Sequence, residues 1–600
     1  MRSPRRSFGP SMRRSRPRPD DPGASSTPSR PALDRLARGG CLTWWLLLAS
    51  IWAWQPASAE RPPSAAIASA HPSATEAGLQ VLAAGGNAFD AAVAVAAALS
   101  VVEPHGSGLG GGGFWLLHRA DDGLTLMLDA RERAPLAARA DMYLGADDAP
   151  IPGASINGPL AAGIPGIPAA LAHLADGYGR LPLAQSLAPA VKLAREGFEV
   201  DAVYRLKASS RIDALRASPA AAKQFLDQGE LPAIGTRLRQ PDLAGTLERL
   251  ATEGRGGFYQ GPTAQALVDG VREAGGIWTL EDLAAYAVVE RAPVTGDYRG
   301  WRVVSASPPS SGGVALIQML NILGGFDLST LSQAERTHLM VEAMRRAYRD
   351  RAVYLGDPDQ VQIPVARLIH PFYAAGLARD IDPRRPTPSR PTSAPRAAGG
   401  DTTHLSVLDT DGNRVAATLS INLPFGSGFV PPGTGVLLND EMDDFSIQPG
   451  LPNAYGLIGG TANAIAPGKR MLSSMSPTFV ESDQGVAILG TPGGSRIITM
   501  VLQGIIAVTE SAAHGTGPAD WVAAPRLHHQ FLPDEILYEP GALDASTRAA
   551  LEAMGHHLRE SPRRYGNMQF IYWDHRRNRV EAASDPRGIG RAEVVALPTE

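Results

Sequence analysis

The residue types and spacings with the clearest chemistry lie in the stretch Thr402-Thr-His-Leu-Ser-Val-Leu-Asp409 and its return, Arg414 to Asn422. Both runs have strand composition, and Asp411-Gly412 between them is a two-residue hairpin turn signal. With that turn at the tip, Thr402 faces residue 421 and Thr403 faces Ser420, to within about one or two positions. Ser420 and Asn422, two apart, share one face of their strand. A hydroxyl beside a second hydroxyl and an amide, just after an irregular loop, is an arrangement suited to nucleophilic chemistry. If the chain is cut before Thr402, a free α-amine with a reference pKa of about 7.7–8.0 sits next to the Thr402 hydroxyl as a general base. That is the threonine/N-terminal-amine form of covalent catalysis. Pattern alone leaves a second reading open: a surface hairpin carrying Thr because Thr favours strands.

The elements around this hairpin must place it. Pro72 to Gly85 reads as a helix, with Ser73 and Glu76 near its start and Gly85-Gly86 as its stop. Asn87 to Val102 is apolar on most sides, which predicts a buried helix ending before Pro104. Gly106 to Gly113 then leads into a strand, Phe114 to His118. A second strand, Leu124 to Asp129, runs into Arg131-Glu-Arg-Ala-Pro135. Residues 165–350 read as mostly helical. Ser332 and Glu335 form a capping box that opens a helix reaching about Tyr354, with His338 an ordinary residue on it. Residues 382–400 carry five Pro and predict an exposed, extended loop immediately before the hairpin. After Asn422, strands and loops alternate, with helices near 496–511 and 545–556. No internal repeat is present.

Composition excludes several classes. The chain has 600 residues, is 44% apolar and has a formal charge of −4, so it has material for a large core. Residues 1–40 hold ten Arg and three acids, whereas from Glu60 onward 57 acidic residues outnumber 46 basic ones. An acidic body without a long basic run argues against nucleic-acid binding. The single cysteine, Cys41, lies in a 14-residue apolar run ending at Trp54. This run follows the Arg-rich stretch and precedes Ala57-Ser58-Ala59, the pattern of a secretory signal peptide. It is short for a membrane span, so no stable span is expected unless the leader is retained. Removal of residues 1–59 would leave no cysteine, and with it no disulfide, thiolate metal ligand or thiol nucleophile.

Three motifs are decoys. Gly108-x-Gly110-x-x-Gly113 has the spacing of a dinucleotide fingerprint, but the order is helix, glycines, strand, the reverse of what phosphate binding needs. Asp409-x-Asp411-Gly412 lacks the twelfth-position Glu of a calcium loop. His528-His529 and His556-His557 are adjacent pairs without metal-ligand spacing. No metal and no organic cofactor is expected.

Several longer blocks carry a resemblance. Asp401-Thr-Thr-His-Leu-Ser-Val407, Leu438-Asn-Asp-Glu-Met-Asp-Asp-Phe-Ser446, Leu472-Ser-Ser-Met-Ser-Pro-Thr478 and Gly490-Thr-Pro-Gly-Gly-Ser-Arg496 resemble the signature blocks of the γ-glutamyltranspeptidases, or glutathione hydrolases. Glu76 to Asp90, Gly108 to Gly113, Leu128 to Pro135 and Pro308-Pro-Ser-Ser-Gly-Gly313 agree, in the same order, from about Ala66 to the C-terminus. The resemblance implies an α+β fold of the N-terminal-nucleophile hydrolase type, a four-layer αββα sandwich. It also implies a precursor that cuts itself at Asp401–Thr402. The divisions are then a leader over 1–59, a large subunit over 60–401 whose end, 382–401, is the exposed pre-cleavage loop, and a small subunit over 402–600.

Residue by residue, the resemblance makes Thr402 the nucleophile and places Ser420 where the family has a second Thr. It assigns Asn422, Glu441 and Asp444 to the substrate α-ammonium, and Arg131, Ser473 and Ser474 to its α-carboxylate. Gly493 and Gly494 become the oxyanion hole. Ammonium suits carboxylates and an amide oxygen, and a guanidinium fork suits two carboxylate oxygens. The Gly- and Pro-rich stretch Pro449 to Lys469 makes no regular element and predicts a lid, and the resemblance makes Tyr455 its closing residue, reaching Asn422. The expected activity is a periplasmic or secreted γ-glutamyl hydrolase and transferase. Its substrates are glutathione-like γ-glutamyl amides, with water or an amino-acid or peptide amine as acceptor. Two alternatives remain: a cephalosporin (glutaryl) acylase of the same fold, and an uncleaved homologue serving as a binding protein.

Overall fold

The computed structural model describes residues 61–389 and 402–596. The leader with Cys41 and Ala57-Ser58-Ala59, and residues 390–401 with Asp401, lie outside the described residues.

Two antiparallel sheets stack face to face. The seven-stranded sheet runs, in spatial order, Arg591–Val595, Ala65–Ser69, Thr403–Leu408, Arg414–Ser420, Gly112–Arg119, Leu124–Ala130 and Val289–Arg291. The six-stranded sheet runs Arg579–Ser584, Gln569–Asp574, Gly485–Gly490, Thr478–Ser482, Trp301–Ser305 and Val294–Tyr298.

The period-two alternation of these strands sorts their side chains into three cores. Ala66, Leu116, Leu408 and Ala416 of one sheet meet Val304, Phe479, Ile488 and Ile571 of the other in a dry layer between the sheets. The opposite faces, Ile67, Trp115, Val407 and Val415, pack under helices Pro72–Ala83, Ala88–Val102, Ile167–Gly177 and Leu183–Glu196. On the other side, Val303, Val480, Leu489 and Phe570 pack under Gly312–Leu323, Gln333–Tyr354 and Ile497–His514. Strands with both faces covered need apolar residues on both, which is why they read as near-continuous apolar runs. The result is the expected four-layer αββα sandwich.

Local expectations hold in most places. Asn87 caps Ala88–Val102 in a capping box with Asp90, and that helix is buried on all sides. Ser332 and Glu335 cap Gln333–Tyr354. Strands Val289–Arg291, Val294–Tyr298 and Trp301–Ser305 interrupt the stretch read as mostly helical. The segment 382–389 is not uniformly exposed, because Thr387 and Ser389 are tied to two carboxylates, buried Glu342 and half-buried Asp534. Thr387 N and Oγ1 donate to Glu342 at 3.0 and 2.6 Å, and Ser389 N donates to Asp534 at 2.8 Å.

The glycine run sets the position of the hairpin. Gly112 to His118 pairs with Ser420 to Arg414, and the turn before it passes directly under the end of the Ser420 strand. A Cβ on Gly111 would lie 2.1 Å from the Ser420 carbonyl oxygen, and one on Gly113 would lie 2.5 Å from that of Thr418. Backbone cannot give way there as a side-chain tip can, so only glycine allows this approach. Gly111→Ala should therefore lower the thermal unfolding midpoint by several degrees and reduce turnover more than about tenfold, since it pushes on the strand that carries Ser420. A variant with unchanged midpoint and turnover would show that the approach is not needed.

Candidate active site

The hairpin differs from the expected one by one residue. Its connection is Asp409 to Asn413 rather than two residues, with Asp409 Oδ1 accepting from the backbone N–H groups of Asp411 and Asn413 at 3.0 and 2.9 Å. An Asp side chain that bonds its own backbone two residues on widens the turn. The register becomes Arg414 with Leu408 and Leu419 with Thr403, and one further step sets Ser420 opposite Thr402. Thr402 Oγ1 and Ser420 Oγ lie 3.4 Å apart, both buried. Asn422 corrects the expectation of a shared strand face. The strand ends at Ser420, and Asn422 takes a left-handed conformation with φ of 77°. Its N–H caps Ser420 Oγ at 2.8 Å and its Nδ2 donates to the Asp440 carbonyl at 2.9 Å.

Next to the hydroxyl pair lies a buried charge cluster. Arg131 sits at the end of the strand Leu124–Ala130, and Glu441 and Asp444 on a single 3₁₀ turn. Arg131 Nη1 meets Glu441 Oε2 at 2.6 Å and Glu132 Oε2 at 3.3 Å, and Nη2 meets Asp444 Oδ2 at 2.6 Å. Arg131, Glu132 and Glu441 are each at most 1% exposed. Burial pushes the Glu441 carboxyl up to about 7, opposed by Arg131, with Asp444 adding to the rise. Burial raises Glu132 strongly as well, and neighbouring Glu441 raises it further. The Ser420 hydroxyl acts to lower the Glu441 carboxyl, so Thr402, Ser420, Glu441 and Arg131 stand side by side in one buried group. Glu441 Oε1 is buried with no hydrogen-bond partner among the described residues. The anion and cation binders expected to be separate are thus paired with one another here.

Thr402, Ser420, Asn422, Arg131, Glu441 and Asp444 line one pocket with Tyr455, Ser473, Ser474 and Gly494. The structure therefore gathers Thr402, Ser420, Asn422, Arg131, Glu441, Asp444, Tyr455, Ser473, Ser474 and Gly494 from five separate stretches of chain. Gly493 lies one residue back from the lining, with φ of 144°, and Gly494 follows with φ of 59°. A Cβ on Gly494 would come within 2.6 Å of the Tyr455 ring. The loop carrying Tyr455 folds over the pocket. Tyr455 Oη donates to the Asn422 backbone carbonyl at 2.8 Å.

Some working residues were missed in the sequence. Asp443, adjacent to Asp444, accepts from Ala454 N and Ser155 Oγ, each at 2.8 Å, and so pins the Tyr455 loop. Asn453 bridges Asp444, Tyr455 N and Leu457 N at 3.1, 3.0 and 3.1 Å, and Gln530 Nε2 holds the Tyr455 carbonyl at 3.1 Å. Ser310 and Ser311, inside the Pro308–Gly313 block, brace the irregular segment Ser473 to Met475, with Oγ to carbonyl distances of 2.6 Å in both cases. The block itself was a signal, but nothing in it told which partner it serves. Three of the four paired histidines are spent inside the fold, and His557 is exposed. His528 bonds Thr499 at 2.8 Å, His529 bonds Asp534 at 3.2 Å, and His556 bonds His338 at 2.8 Å.

Known proteins resemble this chain in sequence and fold. The family model described as gamma-glutamyltranspeptidase matches residues 74–595. The glutathione hydrolase proenzyme of Escherichia coli K12 is 43% identical over 532 residues, covering 87% of this chain and 90% of its own. The solved structure of cephalosporin acylase from Bacillus halodurans superposes with a TM-score of 0.77 at 28% identity, covering 90% of this chain and 97% of that one. That of Helicobacter pylori gamma-glutamyltranspeptidase gives a TM-score of 0.52 at 42% identity, covering 53% of this chain and 92% of that one.

The charge cluster has a pH signature. A carboxyl whose pKa is higher folded than unfolded contributes stability at low pH that is lost as pH rises through the folded value. For Glu441 that loss spans the interval from 4.5 to about 7. Replacing Arg131 removes the cation that limits the shift, leaving buried carboxylates uncompensated at a cost of about 3–5 kcal/mol. Arg131→Met should therefore unfold several degrees below the wild type at pH 8, and the gap should narrow as the pH is brought to about 5. Thermal midpoints at the two pH values check this, and an equal gap at both would contradict it.

Proposed function

The chain belongs to the γ-glutamyltranspeptidase family and is a hydrolase and transferase of N-terminal-nucleophile fold; from that premise we propose the roles of its residues and its substrate. The substrate is a γ-glutamyl amide such as glutathione. The observation that carries this reading is the pocket itself: a Thr402–Ser420 hydroxyl pair 3.4 Å apart beside an Arg131–Glu441–Asp444 cluster.

The cluster suits a zwitterion. With the pocket empty, Arg131 neutralises Glu441 and Asp444. A γ-glutamyl group brings an ammonium and a carboxylate on one carbon. Its ammonium takes Glu441, Asp444 and the Asn422 amide, and its carboxylate takes Arg131 and the hydroxyls of Ser473 and Ser474. Ion pairs are exchanged rather than broken, so the desolvation cost of charged groups was largely met during folding. The unpartnered Glu441 Oε1 offers an added acceptor for the ammonium. A glutaryl group has no amine and would leave Glu441 and Asp444 uncompensated once its carboxylate drew on Arg131. This disfavours the acylase reading despite the overlap with a cephalosporin acylase.

Self-cleavage before Thr402 exposes its α-amine, which takes the Oγ proton as Oγ bonds the γ-carbonyl carbon. The Gly493 and Gly494 N–H groups receive the developing oxyanion, a contribution of roughly 3–4 kcal/mol per donor. Collapse breaks the C–N bond, the amine returns its proton to the leaving group, and a γ-glutamyl ester on Thr402 remains for water or an acceptor amine. Ser420 keeps the hydroxyl of the family's threonine, without the methyl, and stands beside Thr402 and Glu441. The leader and the Ala57-Ser58-Ala59 site support export to the periplasm or beyond. No helix among the described residues is long and apolar enough to cross a membrane.

The direct test is Thr402→Ala. One Oγ serves both reactions, so the variant should stay a single chain on a denaturing gel and release no aniline from a γ-glutamyl anilide, while the wild type shows two chains. The wild type should also turn over the γ-glutamyl anilide at least about a hundredfold faster than the glutaryl anilide, the cost of an uncompensated charge. Normal processing of the Ala variant would remove Thr402 from its role, and equal rates on the two anilides would favour the acylase. Tyr455→Ala should admit water to the ester and lower the ratio of transfer to hydrolysis at fixed acceptor concentration. An unaltered ratio and KM would show that the loop is not a lid.

A further inference from the structure

Among the buried arginines, Arg131, Arg345, Arg346, Arg414, Arg470 and Arg526 each pair with a carboxylate. Arg351, on the helix Gln333–Tyr354, is equally buried and forms no ion pair with any described carboxylate. A guanidinium out of water without a counter-ion is costly, so its position needs a reason. Burial lowers its pKa; Asp444 raises it, and Arg131 adds to the lowering. Two of the charged groups that act on it, Asp444 and Arg131, line the pocket.

Its hydrogen bonds converge on two serines. Arg351 Nε donates to Ser311 Oγ at 2.9 Å, and Ser311 Oγ in turn donates to the Ser473 carbonyl at 2.6 Å. The Ser311 N–H reaches the same carbonyl at 2.8 Å. Arg351 Nη2 makes a longer contact, 3.4 Å, to Ser474 Oγ. Ser473 Oγ accepts from Met475 N at 3.2 Å. A hydroxyl that accepts from an N–H keeps its own proton to give. Both pocket serines thus have an accepting lone pair occupied by a protein N–H, and each retains an O–H for an anion.

We infer that Arg351 is a positioning residue for the anion side of the pocket. It fixes Ser473 through Ser311, holds Ser474 with its proton available to the substrate's α-carboxylate, and places a second cation behind them. It does not touch the substrate. The inference rests on the γ-glutamyl reading of the pocket, and it assigns to a carboxylate the counter-charge that Arg351 lacks within the fold.

The experiment compares a γ-glutamyl anilide with its α-carboxamide, nearly the same shape but uncharged at that position, in wild type, Arg351→Gln and Arg351→Lys. For the acid, Arg351→Gln should raise KM about tenfold and leave kcat within about twofold; for the carboxamide, KM should stay within about twofold. Arg351→Lys keeps the charge but cannot span Ser311 and Ser474 together, so it should fall between. Equal losses on both substrates mark a merely structural arginine and overturn the assignment, as does the absence of any loss. If the Gln variant does not accumulate folded, the same comparison in the Lys variant decides: a KM rise confined to the acid supports the assignment, and equal or absent losses overturn it. A wild type that does not prefer the acid at all would instead remove the γ-glutamyl reading on which the assignment stands.

Discussion

One guanidinium held out of water against three carboxylates is the constraint on which the site depends. Arg131 cannot be buried without Glu441 and Asp444, and those two cannot be buried without Arg131. Their pairing is poor evidence for stability, since charges this deep typically lose in desolvation much of what they gain in attraction. It is better explained by what the pocket admits. A ligand carrying both charges on one carbon can exchange partners with the cluster, whereas a ligand carrying one leaves a buried charge behind. Selectivity of this kind arises from penalties on wrong ligands more than from attraction to the right one.

The cluster spans the chain. Arg131 comes from before residue 401, and Glu441, Asp444, Ser473 and Ser474 from after it. So do the sheets. Ala65–Ser69 and Gly112–Arg119 flank the hairpin of Thr403–Leu408 and Arg414–Ser420 on either side, and Trp301–Ser305 pairs with Thr478–Ser482. A cut before Thr402 therefore severs no ladder described here, and two halves separated by a single break would remain one sandwich with one pocket. The glycines at 111 and 113 draw the sheet tight where the hydroxyl pair sits, and the loop pinned by Asp443, Asn453 and Gln530 covers it.

Much of this was legible in the sequence, and the limits follow a physical line. Helices Ala88–Val102 and Gln333–Tyr354 carry their own caps, so their starts were readable from Asn87 and Ser332. The strands of the sandwich were readable where they form local hairpins. Val289–Arg291 escaped because its partner, Leu124–Ala130, is distant in sequence, whereas Val294–Tyr298 and Trp301–Ser305 form a local hairpin that lies inside a stretch otherwise helical. The hairpin register slipped by one because the Asp409 side chain widens the turn, an effect that Asp411-Gly412 alone does not announce. The pocket residues were found through blocks of sequence in family order. Ser311 and Asp443 lie inside such blocks without a role that the blocks reveal, and Arg351 lies in none, because a residue that acts through another residue has no signature of its own. Only the absence of a counter-ion, visible in three dimensions, singled out Arg351.

The proposed chemistry requires Thr402 to become a chain terminus whose amine and hydroxyl act together. Intact-mass measurement and N-terminal sequencing of the purified protein test it most directly. Two chains held in one particle are expected, the smaller beginning Thr402-Thr403-His404. A single uncut chain that still turns over γ-glutamyl amides, or a smaller chain that begins elsewhere, would contradict it.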